Sequence, residues 1–223
     1  MKKPMRHLSF VDHVLIQANH ALTTIFTTTE NPRANPAENI AEADLNNAEK
    51  KNSIGCMRVN HTGEVCAQAL YRGQLISSRS EKTRAMLEKS CDEEADHLAW
   101  TKNRIEELHG KTSTLNTIFY INSFLMGALV GLCGDRWSLG FVEETEIQVA
   151  KHLEKHLAQK RNVSDRALSS QDQKSRAILT QMREEEMQHE KAAANAGASE
   201  LPWFIKKLMR LHALIMTTST YTI

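Results

Sequence analysis

The sequence predicts an all-α protein built around a four-helix bundle, with extra helices at both ends of the chain. Proline and glycine are scarce, with four Pro and nine Gly in 223 residues, and apolar positions recur at helical rather than alternating spacing. Two short motifs of the form Glu-x-x-His, at residues 94–97 and 186–189, lie in stretches with this helical periodicity. Residues three apart share one face of a helix, so each motif places a carboxylate beside an imidazole.

Composition limits the classes of function that this chain can serve. Its length suits one domain with appendages. The 28 Lys and Arg residues balance 27 Asp and Glu, so net charge gives no support for nucleic-acid binding. The four cysteines form no C-x-x-C pair, as expected for reduced thiols in a cytosolic or membrane-facing protein. Asp12 and His13 interrupt the apolar stretch that follows Lys2, Lys3 and Arg6, so we expect no signal peptide.

Residues 1–52 are predicted to form an N-terminal helical arm and a linker. Apolar positions from Leu8 to Ile25 follow a helical stripe, and Ser9 is suited to cap that helix. Asn-Pro pairs at 31–32 and 35–36 then break the chain, and the polar run up to residue 52 is typical of a linker. We expect the arm to lie on a bundle formed by residues 53–216, with residues 217–223 as a tail.

The first bundle helix is predicted to begin between residues 53 and 60 and to end near residue 78. Glu64 is the only acid on the face that also carries Ala67, Tyr71 and Leu75. Burying a lone carboxylate on an apolar face is costly unless something pairs with it. A glutamate in the first turn, favoured by the helix dipole, explains Glu64 equally well at this stage.

The second bundle helix is predicted to span residues 81–109, with Gly110 as its C-terminal stop. Glu94 lies within the inward apolar stripe of this helix, and His97 lies beside it. We expect the neighbouring acids at positions 92, 93 and 96 to face water. Asp96 has a second interpretation, in which it holds a ligating histidine from behind.

Residues 115–133 form the most apolar stretch of the protein. The stretch is about long enough to span a bilayer, but Asn116, Asn122 and Ser123 lie within it and its flanks lack a clear cluster of positive charge. We therefore favour a core helix that also forms an apolar wall or enters a membrane interface, over a transmembrane span.

The third bundle helix follows a break at residues 134–137 and is predicted to run to residue 159. Three acids compete for the inward face, and periodicity selects Glu146, because it falls in the apolar stripe of Val142, Val149, Ala150 and Leu153. Glu143 is the reserve choice. His152 lies near the edge of the same face, where it is a candidate for handling protons, although an exposed histidine is an equally good interpretation.

The fourth bundle helix is predicted to span residues 175–196, after a polar loop at 162–173. Glu186 and His189 align with its apolar residues, whereas Glu184, Glu185 and Glu190 are expected on the solvated side. The last segment, residues 201–216, combines aromatic and basic residues, as in a helix on a membrane surface. A helix that caps the bundle is the alternative.

Four helices thus supply four carboxylates and two imidazoles: Glu64, Glu94 with His97, Glu146, and Glu186 with His189. One Glu from each of two helices plus Glu-x-x-His from each of the other two is the ligand set of ferritin-like di-iron and di-manganese bundles. Mixed oxygen and nitrogen ligands suit iron or manganese better than a closed structural zinc site. We therefore predict a ferritin-like four-helix bundle with extra N-terminal and C-terminal, membrane-facing helices.

Four short motifs carry a resemblance to one enzyme family. They are VNHTGE at residues 59–64, Tyr71-x-Gly73-Gln74, Glu94-x-x-His97-Leu98, and Arg183-x-Glu185-Glu186-x-x-His189. These motifs resemble those of the demethoxyubiquinone hydroxylases of ubiquinone biosynthesis, over roughly residues 50–215. The family usually has Asp where Asn60 stands, and often Tyr where Leu153 follows His152. Its third-helix ligand corresponds to Glu146 and its following histidine to His152.

The resemblance implies an O2-dependent di-iron monooxygenase that hydroxylates the ring of a polyprenyl methoxy-benzoquinol, demethoxyubiquinol. The six carboxylate and imidazole residues would hold two Fe ions per chain, with His152 and Tyr71 as catalytic candidates. The sequence has no dinucleotide fingerprint and no C-x-x-C pair, so electrons would come from an external reductant, either NADH or a redox partner.

A polyprenyl lipid substrate also implies a membrane surface. We expect a peripheral protein on the cytoplasmic face of the membrane, with partners among lipid-presenting or biosynthetic-complex proteins and further copies of itself as a homo-oligomer. Two other functions compete with this one. A ferritin-like iron-storage or peroxide-scavenging bundle would form a soluble shell without apolar appendages. A non-enzymatic scaffold at the membrane would bind no metal.

Overall fold

The computed structural model describes residues 9–27, 33–158 and 166–223, and within these ranges the chain forms seven α-helices and no strand. The prediction of an all-α fold is confirmed. The helices are α1 (Phe10–Phe26), α2 (Asn47–Ser77), α3 (Glu81–Glu107), α4 (Asn116–Leu132), α5 (Asp135–Leu157), α6 (Gln173–Asn195) and α7 (Trp203–Thr220). The predictions made for Leu8, for Lys2, Lys3 and Arg6, for residues 31–32 and for the loop at 162–165 lie outside the described residues.

The bundle consists of two helix pairs, α2 with α3 and α5 with α6, which pack extensively within each pair. The connection between α2 and α3 is only three residues long, which favours neighbours of this kind. Fully buried side chains from all four helices fill the space between the pairs, including Met57, Trp100, Leu153 and Leu179. The inward stripes predicted from periodicity therefore meet in one core.

Helix α4 lies against α2 through glycines, because larger side chains would collide with the neighbouring backbone. A Cβ atom on Gly127 would lie 2.1 Å from the Leu70 carbonyl oxygen, and one on Gly73 would lie 2.2 Å from the Phe124 carbonyl oxygen. The opposite face of α4 exposes apolar side chains, including Ile121 and Leu129. Helix α4 is thus a core helix on one side and an apolar wall on the other. Among the described helices, none combines the length and the apolar composition that a membrane span requires.

Helices α1 and α7 flank the bundle. Ser9 caps α1 in a reciprocal arrangement with Asp12, as predicted. Ile205 and Met209 of α7 pack on the core, while other apolar side chains of α7 point outward. Both interpretations of this segment therefore hold in part, because α7 covers the bundle and also presents an apolar face. It continues through Thr220, so residues 217–220 belong to a helix rather than to a tail.

Residues 33–46, which we name the N-terminal strap, are packed against the bundle rather than forming a solvated linker. Ala37 is buried in the core, and Glu42 accepts hydrogen bonds from the buried guanidinium of Arg104 at 2.6 and 2.9 Å. The strap ends at Asn46, which caps α2, so the predicted helix start between residues 53 and 60 was too late.

Candidate metal centre

The six residues predicted as ligands lie together at the middle of the bundle, where α2, α3, α5 and α6 meet. None of the six is more than 6% exposed to solvent: Glu64, Glu94, His97, Glu146, Glu186 and His189. Burying four carboxylates without positively charged partners would be strongly unfavourable. Their convergence therefore indicates that this part of the bundle is built to hold cations.

The ligand atoms fall into two overlapping groups. Glu64 and His97 form one side with Glu94 and Glu186, while Glu146 and His189 form the other side with the same two glutamates. Within each group, one ligand atom from each residue lies within 4.8 Å of all the others. Glu94 and Glu186 belong to both groups, which is the arrangement expected of carboxylates shared between two metal ions.

The acids that compete on α5 are separated by the structure. Glu146 is almost fully buried, whereas Glu143 is half-buried and belongs to neither group of ligand atoms. Glu144 is turned toward α7, where its carboxylate lies 3.5 Å from the ammonium group of Lys206. Helical periodicity distinguishes these residues because each step along the chain turns about 100°, which places Glu143 about 60° and Glu144 about 160° from Glu146 around the helix axis.

The donor atoms of the centre fit a pair of metal ions. Glu94 Oε1 and Glu186 Oε2 are buried and lie 3.2 and 3.3 Å from the buried His189 Nδ1, so three donor atoms converge on one point. Buried polar atoms normally have partners, so atoms of this kind that converge on one point are suited to metal coordination. The donors are oxygen and nitrogen, and burial raises the pKa of the nearby Cys91 thiol to about 12, which keeps that thiol protonated. The set fits iron or manganese.

Protons bound to residues of the cluster itself balance part of its negative charge. Burial and the charge of Glu94 raise the pKa of Glu64 well above its usual value, and burial and Glu186 do the same for Glu146. Burial lowers the pKa of His189, but hydrogen bonds to Glu186 and Glu94 outweigh it and raise the pKa to about 12. Ligation requires deprotonated donors, so metal binding would displace these protons.

Each Glu-x-x-His motif is preceded by a second glutamate, whose carboxylate contacts the histidine of the other motif. Glu185 Oε2 lies 2.7 Å from His97 Nε2, and Glu93 Oε2 lies 2.8 Å from His189 Nε2. A carboxylate on the outer ring nitrogen fixes the tautomer and leaves Nδ1 facing the metal position. The expectation that Glu185 faces water was therefore wrong. The repeated Glu-Glu-x-x-His pattern was the sequence signal that could have revealed both residues.

Arg33 of the strap lies behind this centre, a position that no local sequence pattern indicated. Its guanidinium bonds both carboxylate oxygens of Glu185 and the carboxylate of Asp96, and it lies 4.9 Å from the centre of the Trp100 ring. Asp96 is buried and pairs with this arginine, so neither of its predicted roles is correct. Burial raises the pKa of Glu185, but hydrogen bonds from His97 and Arg33 outweigh it and lower the pKa to about 2.

An apolar cavity of about 660 Å³ leads from the metal centre toward the protein surface. Its inner end is bounded by Glu64, Glu146 and Glu186, and its outer part by Leu208 and Leu214 of α7. Helices α2, α4 and α5 supply the remaining walls. A concave, mostly apolar space with a few convergent polar groups is the usual form of a small-molecule site.

His152 and Tyr71 occupy different positions around the centre. His152 lines the cavity, and its Nε2 atom is buried without a hydrogen bond among the described residues. Burial, with Lys155 and Arg166 nearby, lowers the pKa of His152 to about 4, so its imidazole is neutral at pH 7. The fully buried Tyr71 donates a hydrogen bond from its hydroxyl to Glu146. Neither residue belongs to the two groups of ligand atoms.

Asn60, where the resembling family usually has Asp, lies beside this histidine region. Its amide donates to His156 Nδ1 at 3.2 Å, and the rings of His156 and His152 lie 4.3 Å apart. Asn60 therefore supports the wall of the cavity through His156 rather than acting on the ligands directly.

Comparison with known proteins gives one consistent result. The family model described as ubiquinone biosynthesis protein COQ7 matches residues 51–220. A 3-demethoxyubiquinol 3-hydroxylase of Coxiella burnetii is 49% identical over 223 residues, which is the full length of both chains. Enzymes of the same name are 46% identical in Chromobacterium violaceum, covering 96% of this chain and all of the relative, and 49% identical in Stutzerimonas stutzeri, covering 98% of each chain.

Proposed function

The chain belongs to the COQ7 family of ubiquinone biosynthesis proteins, and on this premise we propose that it is a monooxygenase that hydroxylates the ring of demethoxyubiquinol. The observation that supports this proposal best is geometric. Six buried ligand residues for two metal ions lie at the inner end of an apolar cavity, so a substrate in that cavity is adjacent to the metal positions. The fold is a ferritin-like helical bundle.

We assign two iron ions to the centre. Glu64 and His97 would hold one ion, Glu146 and His189 would hold the other, and Glu94 would bridge them together with Glu186. Reduced iron supplies the capacity to activate O2, which an organic side chain lacks. The protein contributes a fixed set of ligands, the carboxylates that orient both histidines, and an apolar cavity beside the metal positions.

The reaction requires two electrons from outside the chain. One oxygen atom of O2 enters a ring C–H bond and forms C–OH, while the other leaves as water after taking up two electrons and two protons. No dinucleotide fingerprint occurs in the sequence, so we assign the reductant to free NADH or to a redox partner protein.

The side chains around the cavity have distinct tasks in this proposal. The apolar walls bind the ring and the start of the prenyl chain, which leaves past Leu208 and Leu214. We assign the neutral His152 to a hydroxyl group of the quinol, because His152 lines the cavity and its Nε2 has no hydrogen bond among the described residues. Tyr71 orients the carboxylate of Glu146 through its hydrogen bond.

Exposed apolar faces on three helices support a place on the membrane surface. Val11 and Leu15 of α1, Leu129 of α4, and Trp203 and Leu211 of α7 are each more than half exposed. Apolar surface of this extent is typical of a docking face, and a lipid substrate must enter from a bilayer. We therefore propose a peripheral protein on the cytoplasmic face of the membrane. Association with lipid-presenting proteins or with a second copy stays a prediction.

Turnover of a short-chain demethoxyubiquinol tests the catalytic proposal. Iron-loaded protein supplied with O2 and NADH or a chemical reductant should yield a product heavier by one oxygen atom, detected by mass spectrometry. Glu94→Gln should abolish the product, and Glu143→Gln should retain it, because Glu143 lies outside the ligand groups. A chain that takes up many irons and gives no product would support the storage function instead.

Vesicle binding tests the proposed location. The full chain should sediment with phospholipid vesicles, and replacement of Leu129 and Leu211 by asparagine should reduce sedimentation. The same double variant should still convert a water-soluble short-chain substrate, because neither side chain touches the metal centre. Equal sedimentation of both proteins would contradict the assignment of these faces to the membrane.

A further inference from the structure

The two halves of the metal centre differ in what supports their histidines. We propose that Arg33 is a positioning residue that fixes His97 through Glu185, and that the metal position beside His97 is therefore the tighter of the two. This inference rests on the metal centre of the proposed function, but it does not depend on the substrate or on hydroxylation.

Arg33 holds the Glu185 carboxylate by both of its oxygens, and Gln181 adds a hydrogen bond to Oε1 at 2.6 Å. Arg33 Nη1 donates to Glu185 Oε1 at 2.8 Å, its Nη2 donates to Oε2 at 3.1 Å, and its Nε donates to Asp96. The two carboxylate side chains are only 11% and 4% exposed. A forked contact with two buried carboxylates restricts rotation far more than a single contact does, and lysine cannot reproduce it.

Glu185 transmits this restraint to a ligand. The same Oε2 atom that accepts from Arg33 also accepts from His97 Nε2 at 2.7 Å. His97 Nδ1 is left at 3.0 Å from Glu94 Oε2 and 3.3 Å from Glu186 Oε1, facing the metal position. A ligating imidazole whose outer N–H is held by a carboxylate is fixed in tautomer and ring angle.

The opposite half has the same carboxylate but a weaker support behind it. His189 Nε2 lies 2.8 Å from Glu93, as His97 does from Glu185. The cation behind Glu93, however, is Lys89 at 3.0 Å, and its side chain is 74% exposed, against 38% for the side chain of Arg33. An exposed single-point ion pair restrains its partner little. The two Glu-Glu-x-x-His motifs are therefore equivalent in their own residues but differ in the cation that contacts each supporting glutamate.

The support on the His97 side comes from outside the bundle. Arg33 lies in the strap, which is anchored separately by the burial of Ala37 and by the pair of Glu42 with Arg104. Replacing Arg33 should therefore leave the strap attached, while it removes the restraint on Glu185 together with the ion pair to Asp96. Because linkage between sites is reciprocal, metal binding should in turn hold the strap more firmly.

Metal titration of the full-length, metal-free chain tests this inference, with Arg33→Gln and Lys89→Gln as a matched pair. Anaerobic Fe²⁺ titration of the parent protein should give two steps. Arg33→Gln should weaken the tighter step by up to about 10-fold, the lower end of the range for loss of the carboxylate support itself, because Glu185 stays bonded to His97. Lys89→Gln should change either step by at most about twofold. Arg33→Lys should not restore the tight step, since lysine lacks the fork.

Mössbauer spectra of the protein loaded with two ⁵⁷Fe ions distinguish a change at one metal position from a general loss of stability, which would affect both positions. Arg33→Gln should alter one of two iron signals and leave the other in place. Equal weakening of both steps, equal effects of the two glutamine variants, or two unchanged iron signals would each overturn the inference. Two bound ions without hydroxylation would refute the proposed function and leave this inference standing, whereas absence of metal binding would refute both.

Discussion

Replacing Glu94 by glutamine should remove the metal-dependent part of the protein's stability. Glu94 is fully buried and belongs to both groups of ligand atoms, so its loss weakens the binding of both ions. Glutamine has nearly the same shape and retains one oxygen, but it lacks the negative charge that holds a cation. The substitution therefore tests coordination with little change in packing.

The expected size of the effect follows from linkage. An ion that binds only the folded chain stabilises it by about 2.7 kcal/mol when its free concentration is 100 times its Kd. Two ions then contribute about 5 kcal/mol, which for a chain of this length raises the unfolding midpoint by about 10–20 °C. Glu94→Gln should lose most of this rise.

Scanning calorimetry under anaerobic conditions, with and without Fe²⁺ or Mn²⁺, measures the effect directly. Glu143→Gln is the control, because Glu143 lies on the same bundle outside both ligand groups. The ligand assignment would be refuted by a Glu94→Gln protein that keeps the full metal-induced rise, or by a control variant that loses it.

Three further experiments test other parts of the account. Tyr71→Phe should weaken metal binding in a titration because it removes the donor to the α5 carboxylate, whereas Tyr120→Phe should not, since that hydroxyl has no hydrogen bond among the described residues. Gly127→Ala should destabilise the fold in denaturant by about 3 kcal/mol through overpacking, and Gly63→Ala, with open space at its Cβ, should stabilise it by about 0.5–1 kcal/mol. Burial and a nearby lysine lower the pKa of His61 to about 3. The unfolded chain takes up a proton on His61 below about pH 6.5, whereas the folded chain does not. The free energy of unfolding therefore decreases as the pH is lowered from about 6.5 to 3. By pH 5 the loss is about 2 kcal/mol, and comparison of unfolding at pH 7 and pH 5 should show that His61→Gln avoids it.

The helices and the positions of the candidate ligands could be predicted because both depend on spacing along one helix. Glu146 was distinguished from Glu143 by its place in an apolar stripe, and the structure places it with the other acids. The roles of Tyr71 and His152 stay predictions, although both lie next to the centre or its cavity.

Contacts between distant segments could not be predicted from spacing. Arg33 meets Glu185 only because the strap folds back across α3 and α6, and a polar stretch with proline resembles a linker whether or not it packs. Glu93 was expected to face solvent for a related reason. A single helix face does not show which partner helix will bring a histidine toward it.

Anomalous diffraction from crystals of the iron-loaded protein, measured at the iron absorption edge, tests the central claim most directly. The account predicts two peaks about 3.5–4 Å apart. One should lie beside Glu64 and His97, the other beside Glu146 and His189, with Glu94 between them. A single peak, peaks elsewhere in the molecule, or no peak in protein shown to carry two irons per chain would contradict it.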